Sequence, residues 1–294
     1  MNNLSVLCLA VAGLSACNGS NSKSSETVNA SSRSNAAEKP NIVIILTDDQ
    51  GYGDMKCYGN SRLQTPNLDQ LAAEGIRFTN FYAGAAASTP SRAALLTGRY
   101  AERAGLQGVV DDLSVNGLES DEFTLADYLK QNNYATGIFG KWHLGCLPEH
   151  LPLRHGFNEF FGLPYSNDMW PFHPQPGHPY RALPLYDNER VVEYNPTVNH
   201  MTTRITERAT AFIDKHKNEP FLLYVPYTQP HVPLGVSDKF KGKSGEGLYA
   251  DVIMEIDWSV GEIMKTLKEN GLDDHTLVLF TSDNGPWLSY GNHG

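Results

Sequence analysis

The chain has 294 residues, 40% of them hydrophobic, and a formal net charge of −10 with its ten histidines counted as neutral. That length holds one large domain or two small ones, and the lack of any basic tract gives nucleic-acid binding no support. An acidic surface also repels a polyanionic substrate unless the site itself is locally positive.

In chain order, the first feature is an export signal. Residues 4–14 form an apolar run too short to span a bilayer. It closes on Leu14-Ser15-Ala16-Cys17, which resembles the lipobox of bacterial lipoproteins. The expectation is that residues 4–16 are removed and that Cys17 is lipidated. The protein would then be exported and held at the bacterial membrane through a lipid anchor, in the periplasm or at the cell surface. Residues 18–39, rich in Ser and Asn, have the composition of a disordered tether. The expected division is therefore signal and lipobox 1–17, linker 18–39 and folded domain 40–294. With Cys8 and Cys17 in the signal, Cys57 and Cys146 are left either to pair or to stay as two buried thiols.

Residues 41–46 (NIVIIL) are continuous and rich in β-branched residues, apolar from Ile42 onward, the mark of a strand buried on both faces. Thr65-Pro66 opens a helix with Thr65 as N-cap and Pro66 at the first position, and Gly75 stops it. Residues 76–81 read as a strand. Thr124 and Asp127 make a capping-box-like helix start, and residues 134–139 read as a strand. From about 146 to 198 the chain is rich in Pro, Gly, His and aromatics and reads as long loops with short elements. Met201, Ile205, Ala209, Phe212 and Ile213 recur at helical spacing. Residues 221–225 are a strand. Leu248, Val252, Ile256, Val260, Ile263 and Leu267 form a long amphipathic stripe closed by Gly271. Residues 276–280 are a last strand. Strands alternating with helices imply an α/β fold, with a mainly parallel central sheet and helices on both faces.

Chemistry collects just after the buried strands. Asp48 and Asp49 follow the first; Lys141 and His143 follow residues 134–139. His231 follows residues 221–225, and Asp283 and Asn284 follow the last strand. Open α/β sheets bind ligands outside the carboxyl ends of their strands, so these residues share one edge. Asp48, Asp49, Asp283 and Asn284 are oxygen donors suited to Ca²⁺ or Mg²⁺. Lys141 and Arg92 are cations able to hold an anion's oxygens. His143 and His231 exchange protons near neutral pH. Each Asp pair alone is also ordinary turn chemistry; the shared placement carries the reading. It describes metal-assisted transfer of an anionic group such as sulfate or phosphate.

Residues 87–100, ASTPSRAALLTGRY, open a further helix, with Thr89 expected as cap and Pro90 at the first position. Capping leaves Ser88 spare and does not explain Arg92 in a first turn that already favours anions.

These residues carry a resemblance. Ser88-x-Pro90-Ser91-Arg92, with Leu96-Thr97-Gly98-Arg99, resembles the signature of the type I, formylglycine-dependent sulfatases in its serine form. Residues 48–54 (DDQGYGD), 65–69 (TPNLD), 140–145 (GKWHLG) and 282–285 (SDNG) are similar to the family's other blocks, in the family's order. The match covers about residues 40–294 and lies nearest the arylsulfatase A-like branch. It implies an alkaline phosphatase-like fold, and oxidation of Ser88 to formylglycine by a radical maturase. It implies Ca²⁺ held by Asp48, Asp49, Asp283, Asn284 and residue 88. Arg92 would hold the formylglycine and Lys141 the sulfate. His143 would assist proton removal at the hydrated aldehyde, and His231 would protonate the leaving alcohol. Ser166 would touch sulfate or substrate.

The family continues past the equivalent of Gly294 with a second sulfate-binding lysine, more of the sheet and a C-terminal subdomain. The expectation is that the isolated chain lacks full activity. The expected substrate is sulfated carbohydrate. The alternatives are a phosphate or phosphonate ester hydrolase of the same superfamily, or a lipid-anchored glycan-binding protein in which Ser88 is never modified. The loops from 147 to 199 would set specificity.

Overall fold

The computed structural model describes residues 39–287 apart from 174–176 and 178–179. The expected export signal, Cys17 and nearly all of the expected linker lie outside the described residues.

The apolar run after Pro40 forms β1 (Asn41–Thr47), with Val43, Ile44 and Ile45 buried. It is flanked by β6 (Phe221–Pro226) and β7 (Thr276–Ser282), both parallel to it. Beyond β6 lie β2 (Ala135–Lys141) and β3 (Glu159–Leu163), also parallel. Then come β4 (Pro184–Asp187) and β5 (Arg190–Tyr194), which run antiparallel. The sheet order is β5-β4-β3-β2-β6-β1-β7. The expected mainly parallel sheet is present.

Helices cover both faces. On one, α1 (Pro66–Glu74), α4 (Met201–His216) and α5 (Leu248–Glu269) pack Leu68, Ile205, Phe212, Ile256 and Val260 against Val43, Ile45 and Leu223. On the other, α2 (Ser88–Thr97) and α3 (Leu125–Gln131) pack Ala93, Leu96 and Leu129 against Ile44, Ile138 and Tyr224. Stripes of apolar residues at helical spacing bury only against such a partner, which fixes each helix on its face. Among the described residues no helix is long and apolar enough to cross a membrane.

Local chemistry sets the ends. Thr124 caps α3 with the reciprocal bonds of a capping box, Asp127 N–H to Thr124 Oγ1 at 3.1 Å and Thr124 N–H to Asp127 Oδ2 at 3.0 Å. At α1, Thr65 is the N-cap residue and Pro66 comes first, as expected, but the cap bonds come from α5. Asp257 accepts the N–H groups of Asn67 and Leu68 at 3.2 and 2.8 Å. A helix start has unpaired N–H groups, and a carboxylate from a neighbouring helix satisfies them as well as a local cap.

Two expectations need correction, the strand at 76–81 and the Thr89 cap. Residues 76–81 form no strand; Ile76, Phe78 and Phe81 are exposed, and the segment pairs with no sheet edge among the described residues. The stretch from 146 to 198, expected as long loops with short elements, has that character, its strands being the short β3, β4 and β5. Thr89 does not cap α2. Ala87 is the N-cap, Ser88 opens the helix and Pro90 stands third, where its missing N–H costs nothing. Ser88 is thus inside the first turn rather than outside it. Cys57 and Cys146, whose state the sequence leaves open, are free thiols, each partly buried.

Candidate active site

Gly140 sets the approach to the site. Its φ is +139°, and a Cβ there would fall 1.8 Å from the Pro226 carbonyl oxygen of β6. Only glycine lets β2 and β6 close up at this point. The next residue, Lys141, ends β2 and is fully buried. Its Nζ donates to Asp48 Oδ2 at 2.6 Å, to Ser166 Oγ at 3.2 Å and to Ser88 Oγ at 3.3 Å.

Asp48 and Asp49 follow β1, and Asp283 and Asn284 follow β7. Parallel pairing of these strands holds their ends level, with Thr47 opposite Ser282. Asp283 donates its N–H to the Thr47 carbonyl at 3.0 Å, and Asp49 donates its own to Asp283 Oδ1 at 3.1 Å. Asn284 Nδ2 donates to Asp49 Oδ1 at 2.5 Å. Asp49 has φ +62°, the left-handed conformation that Asp tolerates better than most residues.

Helix α2 aims its first turn into this group. Ser88 Oγ lies 2.6 Å from Asp283 Oδ2 and 2.9 Å from Asp48 Oδ1. Ser91 Oγ donates to the Asp283 carbonyl. Arg92 donates from Nε and Nη2 to Asp283 Oδ2 at 3.1 and 2.9 Å, and from Nη1 to the Lys141 carbonyl at 2.9 Å. Arg92 and Asp48 also pair at 3.2 Å, both fully buried. Tyr224 of β6 is buried close enough for the charges of Arg92, Asp283 and Asp48 to act on it.

The charges tune one another. Burial works to raise the Asp48 carboxyl, but Lys141, His231 and Arg92 outweigh it and hold it well below the usual carboxylate range. Burial and then Asp48 push Asp49 up to about 6. Burial opposes the charge of Arg92, but Asp283 and Asp48 hold its pKa above the usual value. Burial, then Lys141 and Arg92, keep His143 well below the ordinary histidine value, so its ring is neutral.

Both histidines reach the site. His143 Nε2 meets the Val110 carbonyl at 2.9 Å, while its Nδ1 has no partner among the described residues. His231 Nε2 stands 3.5 Å from Asp49 Oδ2, and its Nδ1 meets the Val232 carbonyl at 2.5 Å. Beside them opens a cleft of about 270 Å³ lined by Ser88, His143, Ser166, Asp168, Met169 and Trp287, among others.

Every sequence-predicted site residue within the described residues is therefore in one place. Sequence reasoning missed Tyr224, Val110, Asp168 and Trp287. Tyr224 sits inside an apolar strand pattern that gives no sign of a polar role. Asp168 stands two residues after Ser166, and that proximity was the only available signal.

The donor set fits a hard cation. Asp48, Asp49 and Asp283 each offer an oxygen within 4.8 Å of the others. Asn284 Oδ1 is buried and has no hydrogen-bond partner among the described residues. A buried acceptor without a donor is costly, and a cation that prefers oxygen ligands relieves it.

A mainly parallel α/β sheet gathers oxygen donors and a buried lysine at its strand ends, with a serine hydroxyl and a buried arginine from the start of α2 beside them, an arrangement able to hold a metal ion and an anion and set in a fold shared with alkaline phosphatase-like sulfatases. Comparison with known proteins narrows this class. The sulfatase family model matches residues 40–294, and the chain belongs to the sulfatase family. It is 43% identical over 276 residues to arylsulfatase A of Bos taurus, covering 88% of this chain and 54% of that protein. It is 35% identical over 345 aligned positions to an N-acetylgalactosamine-6-O-sulfatase of Bacteroides thetaiotaomicron, covering 99% of this chain and 66% of that protein. Its fold matches the crystal structure of Ps i-CgsB in complex with k-i-k-neocarrahexaose. There the TM-score is 0.75 and the identity 34%, over 86% of this chain and 60% of that one. The chain thus spans about half to two thirds of the length of these relatives.

Proposed function

We propose that the protein hydrolyses sulfate esters of carbohydrate, with residue 88 as the nucleophile after conversion of Ser88 to formylglycine by a radical maturase. One observation carries this reading. The Ser88 hydroxyl lies within hydrogen-bond distance of Asp48, Asp283 and Lys141 together, at a buried helix start. A structural serine needs one partner; this one is surrounded by ligands for a metal and an anion. The similarity to an N-acetylgalactosamine-6-O-sulfatase and to a protein crystallised with k-i-k-neocarrahexaose supports the substrate class.

In this reading Asp48, Asp49, Asp283, Asn284 and residue 88 hold Ca²⁺. The bound cation supplies charge stabilisation and lowers the pKa of the attacking hydroxyl. Oxidation removes two hydrogens from the Ser88 side chain, and water adds to the resulting aldehyde to give two hydroxyls on one carbon. One hydroxyl oxygen, its own proton given up to water, bonds to sulfur while the sulfur–oxygen bond to the ester's alcohol breaks and that alcohol leaves, taking a proton from His231. The second hydroxyl then loses its proton to His143, the carbon–oxygen bond to sulfate breaks, and the aldehyde is restored. Lys141 holds sulfate oxygens and Ser166 steadies Lys141. Arg92 holds residue 88 and Asp283 in register. Export and anchoring through Cys17 belong to the same proposal.

Mass spectrometry of the peptide containing Ser88, from protein made with a radical maturase, tests it. The expected peptide is two hydrogens lighter than the encoded one. An intact serine throughout the population of a protein that still hydrolyses sulfate esters would exclude the formylglycine route.

A further inference from the structure

Thr89 follows the proposed nucleophile and is fully buried, yet it does not cap its helix. Its Oγ1 instead accepts the N–H of Val110 at 3.2 Å, from a loop 21 residues away in sequence. The carbonyl of the same residue meets His143 Nε2 at 2.9 Å. A carbonyl only accepts, so Nε2 carries the ring proton and Nδ1 carries the lone pair. His143 lines the cleft beside Ser88, and its Nδ1 has no hydrogen-bond partner among the described residues. His143 also adopts φ +61° and donates its N–H to the Pro164 carbonyl at 3.0 Å, so its backbone is held separately. What remains to be fixed is the ring, and among the described residues Val110 alone hydrogen-bonds it.

We infer that Thr89 is a positioning residue. Its hydroxyl anchors the Val110 backbone so that the Val110 carbonyl locks His143 as the Nε2–H tautomer, with the Nδ1 lone pair turned to the cleft. The inference rests on the proposed reaction only for its consequence, namely that a histidine with its proton on the wrong nitrogen accepts no proton from residue 88. It also means that one turn of α2 sets both partners: Ser88 directly, and His143 through Thr89. Val109, next to Val110, lines the same cleft as Ala87 and Ser88.

The test uses the whole chain and two readouts. Nitrogen-15 NMR of histidine-labelled protein gives the tautomer of each ring, with His143 assigned by its loss in His143→Gln. In the parent protein His143 should show the Nε2–H pattern. Thr89→Ser, which keeps the hydroxyl, should retain it; Thr89→Val, nearly the same shape without the acceptor, should lose the single-tautomer signature. In matured protein, kcat for an aryl sulfate should fall tenfold to a hundredfold in Thr89→Val, a share of what proton transfer contributes. KM should change less than twofold and Thr89→Ser should recover the rate. An Nδ1–H tautomer in the parent protein overturns the inference whether or not Thr89→Val folds. So does a Thr89→Val protein with unchanged tautomer and kcat. Absence of turnover in the parent with the tautomers as expected would sink the proposed reaction and leave the positioning role standing.

Discussion

Between its sheet and helices α4 and α5 the chain buries Val43, Ile45, Phe212, Ile256 and Val260, all apolar. At the carboxyl ends of the same strands it buries Asp48, Arg92, Lys141 and Asp283 just as fully. The first region is stabilising by the ordinary route, about 25 cal/mol for each Å² of apolar surface removed from water. The second works against folding. Each buried ion costs several kcal/mol of hydration, and mutual pairing often returns less than that. A protein selected only for stability would fill the second region with leucines. What the charged edge gains is a set of groups already desolvated and aimed, the condition under which electrostatic interactions with a ligand are strong.

Removing Asp283 should break the charged region most severely. It pairs with Arg92, contacts the Ser88 hydroxyl and offers a ligand oxygen. Asp283→Ala should cost about 3–5 kcal/mol of stability, because it leaves a buried guanidinium short of its main partner. Calcium affinity, measured by titration calorimetry, should fall at least a hundredfold. Unchanged calcium stoichiometry would refute the ligand set. The matching cut in the apolar region is Ile256→Ala, at a fully buried position on α5. It should cost about 2–5 kcal/mol by denaturant melt and leave calcium affinity in the folded protein within twofold. If Ile256→Ala also lost calcium, the two regions would not be separable and the comparison would fail.

The two regions were not equally legible in the sequence. The apolar one announces itself by period: Ile256, Val260, Ile263 and Leu267 recur along one helix face, and β1 is an unbroken apolar run. The charged edge was legible only through topology. Asp48 and Asp283 stand 235 residues apart, and their meeting follows from two parallel strands ending side by side. What stayed hidden has physical reasons. Thr89 looked like a cap because a threonine before a proline at a helix start has the composition of one. Its hydroxyl was instead claimed by a loop whose path no local pattern specifies. Asp257, which does cap α1, lies on another helix. Residues 76–81 have strand composition, but a strand also needs an edge to pair with, and composition does not say whether one is there.

The pH dependence of Asp49 offers the finest cut, because Asp49 borders both the ion cluster and the cleft. In the metal-free protein its carboxyl lies at about 6 against an ordinary 3.8, through burial and then Asp48. Between those values the folded chain holds a proton that the unfolded chain has released. This group's contribution to stability is therefore complete below pH 3.8 and lost as pH rises through about 6. A cation reverses the sign, because it needs the carboxylate. Below pH 6 it must displace a proton, and its affinity should fall by up to tenfold for each pH unit toward 3.8. Thermal melts with chelator and with calcium, from pH 4.5 to 7.5, separate the two. The calcium increment in melting temperature should grow with pH up to about 6 and then level off. In Asp49→Asn, which has no proton to displace, the increment should be smaller and nearly flat over the same range. An increment in the parent protein that is flat from pH 5 to 7 would mean that Asp49 is not a ligand. The charged edge would then hold its cation with Asp48 and Asp283 alone among its carboxylates, and Asp49 would belong to the cleft with His231.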